Sequence, residues 1–187
     1  MLVTMSNLGY HNISVPTHPY RGDNELVLSI NPGEGVVLRG RNGSGKTTIL
    51  KMLAGHYEGR VLFNDSRWVG HYIAERPFLL SGLTVTKQLA YYRSLYQDES
   101  EPWGWLQDLS GMQVSALSRG QLQRLSLTRL AYSSDKLWLL DEPFNALDKE
   151  GQAAFSGYID KHLVNGGSVL YASHIALRAE DRVICID

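Results

Sequence analysis

The chain has 187 residues, of which 43% are hydrophobic and 20% charged, and its 18 lysines and arginines against 19 aspartates and glutamates leave a formal net charge of −1. This length and composition indicate one globular domain, large enough to form a core without disulfide bonds or a structural metal. The single cysteine, Cys185, excludes a disulfide framework within the chain, and the lack of a basic excess argues against binding to nucleic acid.

Neither a secretory signal nor a membrane span is expected. Residues 1–15 mix polar and apolar side chains, without the charged start and apolar centre of a signal peptide. The longest apolar runs, such as residues 137–140, are far shorter than the roughly 20 residues that a helix needs to cross a bilayer. Any work at a membrane therefore requires a partner.

Strand-like and helix-like segments alternate along the chain, which predicts an α/β fold with parallel strands and right-handed crossovers. In the first half, the pattern predicts a helix at residues 46–53 and strands at residues 26–30, 35–39, 60–63 and 68–73. Turn residues separate the first two of these strands and also the last two.

A small helical insert is predicted from about residue 84 to residue 132. Its helices are expected at residues 86–96, at residues 103–109 and after Ser118, which is a candidate N-cap. Beyond the insert, the pattern predicts a helix at residues 148–164 and strands at residues 137–141, 169–172 and 183–186.

Two side-chain expectations follow from these elements. Trp103 and Trp105 lie two positions apart in a predicted helix, so they are not expected to line the same face. One is expected to pack inward, and the other either packs in the core, which is the favoured interpretation, or is exposed as a docking residue. Cys185 lies in an apolar strand and is expected to be a packed thiol.

A glycine-rich loop lies between a predicted strand and a predicted helix. It has the pattern Gly-x-x-x-x-Gly-Lys-Thr, in which backbone N–H groups and a helix N-terminus surround phosphate oxygens. Lys46 is expected to reach the β and γ phosphates, and the Thr47 hydroxyl is expected to bind Mg²⁺. The pattern alone does not separate kinases, GTPases and transport ATPases. The candidate nucleotide-binding residues of this segment are Gly40, Arg41, Asn42, Gly43, Ser44, Gly45, Lys46, Thr47 and Thr48.

Two carboxylates follow the apolar strand at residues 137–141. This position lies at the carboxyl edge of the predicted sheet, where ligands bind in such folds. Successive strand residues point to opposite sides, so Asp141 is expected to serve the Mg²⁺ shell and Glu142 to face an attacking water. The alternative is a solvated acidic end of a strand, because acidic turns are common.

Three further segments resemble motifs of the ABC ATPases. Leu-Ser-Arg-Gly-Gln at residues 117–121 resembles the signature Leu-Ser-Gly-Gly-Gln and precedes the acidic strand as it does in that family. Asn-Ala-Leu-Asp at residues 145–148 resembles the D-loop, and His174 resembles the switch histidine. Together with the phosphate loop, these motifs stand in the family's order and cover most of the chain.

The resemblance implies one ABC-type nucleotide-binding domain over residues 1–187. Its fold is an α/β P-loop NTPase sheet core with a small helical subdomain and an N-terminal β subdomain. Two copies pair head to tail, as a homodimer, so that the segment of one copy that contains Ser118, Gly120 and Gln121 completes the ATP site of the other. Glu142 and His174 are then the catalytic residues, and ATP and Mg²⁺ are bound.

The resemblance also implies an aromatic side chain stacked on adenine. Tyr20 and Tyr10 are both candidates, and the spacing to Gly40 favours Tyr20. A tyrosine packed in a loop is the alternative for either residue.

The chain departs from the family pattern at three points. Arg119 replaces the second signature glycine, and Glu75 occupies the position where many ABC ATPases carry a glutamine that senses Mg²⁺. Glu75 is a candidate metal ligand, directly or through water, but an ionised carboxylate donates no hydrogen bond, and a surface loop acid is the alternative. The segments between Lys46 and Glu75 and after His174 are also short.

Within the ABC family the chain most resembles the haem-exporter ATPases of cytochrome c maturation. The similar segments are Leu-Trp-Leu-Leu-Asp-Glu-Pro-Phe-Asn-Ala-Leu-Asp at residues 137–148 and Gly-Gly-Ser-Val-Leu-Tyr-Ala-Ser-His at residues 166–174. This resemblance implies a peripheral subunit at the cytoplasmic face of the inner membrane, bound to integral membrane permease subunits. The alternatives are the ATPase of a different ABC exporter and a soluble ABC-type regulator of protein assembly.

Overall fold

A five-stranded parallel sheet lies at the centre of the fold in the computed structural model, which describes residues 11–16, 25–56, 62–63, 70–174 and 178–186. The strands are β1 (His11–Pro16), β2 (Glu25–Ile30), β3 (Gly35–Arg39), β4 (Leu62–Phe63), β5 (Gly70–Ile73), β6 (Leu137–Asp141), β7 (Ser168–Ala172) and β8 (Arg182–Cys185). The α-helices are α1 (Lys46–Leu53), α2 (Val85–Tyr96), α3 (Arg119–Thr128) and α4 (Lys149–Val164), and short 3-10 helices cover Gly104–Leu109, Val114–Ala116 and Arg129–Tyr132. The predicted α/β fold with parallel strands is confirmed.

The central sheet has the strand order β5, β6, β7, β3, β8, and each neighbouring pair is parallel. Its inner strands are buried on both faces because helices cover each side. Val36 and Leu38 pack on one face with the side chains of α1, whereas Val37 and Tyr171 pack on the other face with those of α4. Since all five strands run the same way, their carboxyl ends meet at one edge.

A smaller antiparallel sheet has the strand order β2, β1, β4. β2 and β3 flank one turn but belong to different sheets. The predicted strands at residues 60–63 and 68–73 also separate, because β4 pairs with β1 and β5 pairs with β6. Strand propensity along the chain does not specify the partner strand, which long-range packing decides.

The helices of residues 84–132 pack around a small core of their own, formed by buried side chains that include Val85, Leu106 and Leu125. Ser118 is the N-cap of α3 as predicted: its hydroxyl accepts a hydrogen bond from the backbone N–H of Gln121, at 3.3 Å. The Gln121 side chain in turn accepts from the backbone N–H of Ser118 at 2.8 Å, which completes a capping box.

Core packing of the two tryptophans is confirmed, but the expectations that they line different faces and that Cys185 is packed are wrong. Trp103 and Trp105 both pack against α4: Trp103 stacks on Tyr158 with ring centroids 4.0 Å apart, and the two indole rings meet edge to face at 5.5 Å. Trp103 precedes a 3-10 helix and has an extended backbone, so the angular spacing of an α-helix does not apply. Cys185 is exposed rather than packed, because β8 is an edge strand that pairs only with β3 among the described strands.

A buried arginine joins the segment after β7 to the sheet and to α4. Arg178 is 6% exposed, and its guanidinium donates to Asp181 at 3.0 Å, to Glu180 at 3.0 Å and to Asp160 of α4. The other oxygen of Asp181 accepts from the Tyr171 hydroxyl at 2.7 Å. The buried charge of Asp181 therefore has a partner on each oxygen.

We expect Arg178→Ala to lower the free energy of unfolding by about 3–5 kcal/mol, because it leaves the buried Asp181 carboxylate without its cation. Chemical denaturation of the nucleotide-free protein measures this loss. Arg182→Ala is the matched control: Arg182 is exposed and pairs with Glu34 at 2.5 Å, so its removal should cost about 0–1 kcal/mol. Equal losses for the two variants would contradict this account of the network.

Candidate functional site

The segments that follow or end four strands of the central sheet surround one cleft at the carboxyl edge, and the phosphate loop that begins at Gly40 is one of them. Gly40 follows β3, Glu75 follows β5, Asp141 ends β6 and His174 follows β7. The cleft has a volume of about 540 Å³ and is lined by Asn42, Gly43, Gly45, Lys46, Thr47, Thr48, Glu75, Asp141, Glu142, Asn145 and His174. Of the predicted loop residues, Gly40, Arg41 and Ser44 shape the loop without lining the cleft.

The backbone of the phosphate loop requires its glycines. Gly43 and Gly45 have φ values of +85° and +100°, a region that residues with a side chain rarely adopt. At Gly40 there is no room for a Cβ atom, because the Ile186 carbonyl and the Ser44 side chain lie against it. The loop leads directly into α1, so the first N–H groups of that helix are directed at the cleft.

Lys46 is the first residue of α1 and is buried at the base of the loop. Its ammonium group donates to the carbonyls of Gly40 and Arg41, at 2.9 Å and 3.0 Å. An ammonium group has three N–H donors, so one more is available toward the cleft. The lysine therefore stabilises the loop and presents a positive charge to an anion in the cleft.

Asp141 is hydrogen bonded through both carboxylate oxygens. Oδ1 accepts from the Thr47 hydroxyl at 3.0 Å, and Oδ2 accepts from the Tyr72 hydroxyl at 3.4 Å. Burial raises the pKa of Asp141, the neighbouring Glu75 carboxylate adds to this rise, and the two hydrogen bonds oppose it. The arrangement suits a carboxylate whose charge is balanced by a cation.

Glu142 has a strained backbone and an incompletely bonded side chain. Its φ of +47° lies in the left-handed region, which is costly for a residue other than glycine. Oε1 lies 3.2 Å from Nε2 of His174, whereas Oε2 is buried without a hydrogen-bond partner among the described residues. Burial raises the pKa of Glu142, and the nearby His174 and Lys46 oppose this rise.

Two further residues belong to this site, although the sequence did not predict that they would. Asn145 lines the cleft after the turn that follows β6, and Tyr72 contacts Asp141 from β5. Asn145 was identified only through its D-loop resemblance. Tyr72 had no signal in the sequence, because its place depends on the pairing of β5 with β6.

The signature segment lies outside the cleft. Ser118 is exposed at the start of α3, and neither it nor Gly120 nor Gln121 lines the cavity that holds the phosphate loop. Gly120 lies close to the carbonyl of Ala146, with 2.9 Å between that oxygen and the position of an added Cβ atom. One copy of the chain thus brings together the phosphate loop, Glu75, Asp141, Glu142 and His174, but not the signature residues.

The two candidate adenine-stacking residues, Tyr20 and Tyr10, lie outside the described residues.

Comparison with known proteins identifies the relatives of this chain. The family model described as "ABC transporter" matches residues 24–145. The "Cytochrome c biogenesis ATP-binding export protein CcmA" of Rhizobium etli is 34% identical over 180 residues, which cover 82% of this chain and 83% of that protein. The CcmA protein of Yersinia pseudotuberculosis is 35% identical over 184 residues, which cover 87% and 84% of the two chains.

Solved structures agree on the fold. The ATP-binding subunit of an ABC transporter superposes with a TM-score of 0.73 at 24% identity, and the match covers 88% of this chain and 80% of that chain. A Pyrococcus furiosus chain assigned as an ABC transporter ATP-binding protein superposes with a TM-score of 0.74 at 20% identity. The match covers 94% of this chain and 97% of that chain. Among the described helices, none has the length and apolar character needed to span a membrane.

The buried carboxylate of Asp141 predicts a stability that falls as the pH rises. Its pKa is higher in the folded chain than in the unfolded chain, so above the folded pKa the buried charge destabilises the fold. Without nucleotide, we expect Asp141→Asn to raise the midpoint of thermal unfolding at pH 8. The gain should shrink as the pH falls through the raised pKa and vanish below the ordinary value of 3.8, where the carboxyl group is protonated in both the folded and the unfolded chain.

Asp148 provides a control of opposite sign. The backbone N–H of Gly151 and the Arg124 side chain lower the pKa of Asp148, so its charge contributes stability that is lost as the pH falls through that lowered pKa. Asp148→Asn should therefore lower the midpoint at pH 8. Shifts of the two variants in the same direction at pH 8 would contradict these assignments.

Proposed function

This chain belongs to the ABC transporter family of ATP-hydrolysing subunits, and we propose that it drives a haem-exporter-type complex for cytochrome c biogenesis. The observation that carries the mechanism is the convergence of the phosphate loop, Asp141, Glu142 and His174 on one cleft. The names of the CcmA relatives, ATP-binding export proteins of cytochrome c biogenesis, support the narrower assignment to an export complex of that process.

In this proposal the phosphate loop binds the triphosphate of ATP. The N–H groups at the start of α1 and the remaining N–H of Lys46 donate to phosphate oxygens, and the left-handed glycines keep the loop open to them. Tyr20 remains the proposed adenine-stacking residue.

Mg²⁺ fits the oxygen groups beside the loop. Thr47 and Asp141 are already joined at 3.0 Å, and Mg²⁺ is commonly held by one or two protein oxygens together with nucleotide phosphates. When bound, Mg²⁺ would be held by the Thr47 hydroxyl and the Asp141 carboxylate and would offset negative charge on the phosphates. Glu75 lines the same cleft. We propose that its carboxylate is a further Mg²⁺ ligand, directly or through a water.

Glu142 is the proposed general base. Its buried Oε2 has no hydrogen-bond partner among the described residues, so this oxygen is available to accept a proton from a water that attacks the γ-phosphate. The His174 side chain is 50% exposed and lies beside Oε1. We propose that its imidazole orients the carboxylate and contacts the γ-phosphate of bound ATP. Burial raises the pKa of Glu142, and a higher pKa makes a carboxylate a stronger base.

We expect Glu142→Gln to reduce ATP hydrolysis by about 10²-fold or more, since a positioned general base contributes about 10²–10⁴-fold. The affinity for ATP should be retained, because the phosphate loop is unchanged. Phosphate release and equilibrium binding of a fluorescent ATP analogue measure the two effects. Glu150→Gln, which changes an exposed acid in the first turn of α4, is the control and should hydrolyse ATP normally. Near-normal turnover in the Glu142 variant would refute the assignment.

We propose a head-to-tail homodimer in which Ser118, Gly120 and Gln121 of one copy close the ATP site of the other. Ser118 is exposed, and none of these three residues lines the cleft of its own chain, which supports that arrangement. Hydrogen bonds connect the segment to the residues that follow β6: Gln123 donates to the Pro143 carbonyl at 3.1 Å, and Arg124 to Asp148 at 2.7 Å. ATP in one site is thereby coupled to the geometry of the other.

Mixing two inactive variants tests this composite site. Lys46→Ala removes the phosphate contact, whereas Ser118→Asp keeps an N-cap side chain but places a negative charge against the partner's γ-phosphate. Each variant alone should be inactive. An equal mixture should regain roughly a quarter of the wild-type activity, because mixed dimers contain one complete site. The absence of recovery at every mixing ratio would contradict a site built from two copies.

An exposed apolar surface supports the permease partner. Phe78 is 85% exposed on the segment after Glu75, and Leu80 follows it. The backbone N–H of Leu80 donates to Gln88 of α2 at 3.0 Å, and Tyr91 and Leu95 lie on the same face of that helix as Gln88. Neighbouring apolar side chains in such a patch are typical of a protein-binding surface. We propose that integral membrane permease subunits bind here, at the cytoplasmic face of the inner membrane.

A further inference from the structure

Tyr72 lies beside Asp141 through strand register. β5 and β6 pair in parallel with Tyr72 opposite Leu139, so Asp141 is the next residue of β6 on the same face. From that position the Tyr72 hydroxyl donates to Oδ2 of Asp141 at 3.4 Å, while Thr47 donates to Oδ1 at 3.0 Å. The carboxylate is thus contacted from two sides by groups on different elements.

The Tyr72 ring is itself held in place. Its backbone belongs to the ladder with β6, and its carbonyl accepts a hydrogen bond from the Arg129 guanidinium at 2.7 Å. The ring is half-buried against the core beneath α1 and meets the His56 ring edge to face, with centroids 5.2 Å apart. A side chain fixed in this way delivers its hydroxyl to one point with little loss of rotational freedom.

We propose that Tyr72 is a positioning residue that orients the Asp141 carboxylate for Mg²⁺, an inference that rests on the proposed function. The terminal torsion of an aspartate has a broad energy profile, so a single hydrogen bond leaves the carboxylate plane free to turn. A donor on each oxygen fixes that plane. Oδ1 and the Thr47 hydroxyl, 3.0 Å apart, would then both be available to hold the cation, whereas Oδ2 faces the Tyr72 hydroxyl.

The burial of Asp141 agrees with this role. Asp141 is 4% exposed, so few water molecules can reach its carboxylate to orient it. The hydroxyls of Thr47 and Tyr72 instead donate one hydrogen bond to each of its oxygens. Groups that hold a metal-binding carboxylate in this way commonly change metal affinity by about 10–100-fold when they are removed.

The test compares Tyr72→Phe with wild-type protein and with Tyr96→Phe. Tyr72→Phe removes only the hydroxyl and keeps the ring. Tyr96→Phe is the matched control, because the Tyr96 hydroxyl contacts His71 at 3.2 Å rather than Asp141. For each full-length protein, the affinity for a fluorescent ATP analogue is measured in EDTA and across a Mg²⁺ titration, together with the Mg²⁺ dependence of hydrolysis.

We expect Tyr72→Phe to raise the Mg²⁺ concentration for half-maximal nucleotide binding and for half-maximal hydrolysis by about tenfold, the lower end of the range for such groups. Its nucleotide affinity in EDTA and its turnover at saturating Mg²⁺ should match wild type, as should every property of Tyr96→Phe. An unchanged Mg²⁺ requirement would overturn the inference, as would an equal loss of affinity in EDTA and in Mg²⁺. A wild-type protein that ignores Mg²⁺ would instead refute the proposed metal role itself.

Discussion

The hydrogen bond between Thr47 and Asp141, 3.0 Å long, joins the phosphate loop and its helix to the acidic end of β6. Thr47 belongs to the helix that begins at the phosphate loop, and Asp141 is the last residue of a fully buried strand almost a hundred residues later. The contact exists because the strands of the central sheet are parallel, so that β3 and β6 both end at the same edge. Burial of both faces of that sheet keeps the two ends in a fixed relation.

The residues proposed to act on ATP carry features that destabilise the fold. Asp141 and Glu142 are buried carboxylates with raised pKa values, and Glu142 also adopts a left-handed backbone conformation. Such features persist only where the surrounding structure holds them. Here the backbone N–H of Glu142 donates to the Ala172 carbonyl at 3.0 Å, which continues the ladder between β6 and β7 past the strand end. The core thus holds a site whose charges are suited to a phosphate and a cation.

Local patterns predicted the elements that carry the motifs. β3, α1 and β6 lie at the expected residues because apolar alternation, glycine punctuation and an apolar run are local signals. The sequence motifs also named most of the residues that line the cleft, although their chemical roles, including that of Glu75, stay predictions. Strand partners were not predictable: β4 and β5 separate into different sheets, and Tyr72 acquires its contact with Asp141 only through the pairing of β5 with β6. The prediction that Trp103 and Trp105 face different sides was wrong for a related reason. A 3-10 helix and the aromatic side chains of α4 determine where the two indole rings lie.

The central claim is that ATP bound by this chain acts on an integral membrane partner, and capture of that partner from native membranes tests it most directly. Tagged Glu142→Gln protein is incubated with ATP and detergent-solubilised membranes, and the copurifying proteins are identified. We expect its slow ATP hydrolysis to keep the ATP-bound dimer closed on its partner. A parallel sample with Phe78→Ser added should lose the membrane partner, because Phe78 is 85% exposed at the proposed docking surface. The account predicts recovery of integral membrane proteins together with cytochrome c maturation factors. Recovery of soluble proteins alone would contradict the claim of a membrane partner. Recovery of a permease unrelated to cytochrome c maturation would agree with a transport ATPase but would exclude the haem-exporter assignment.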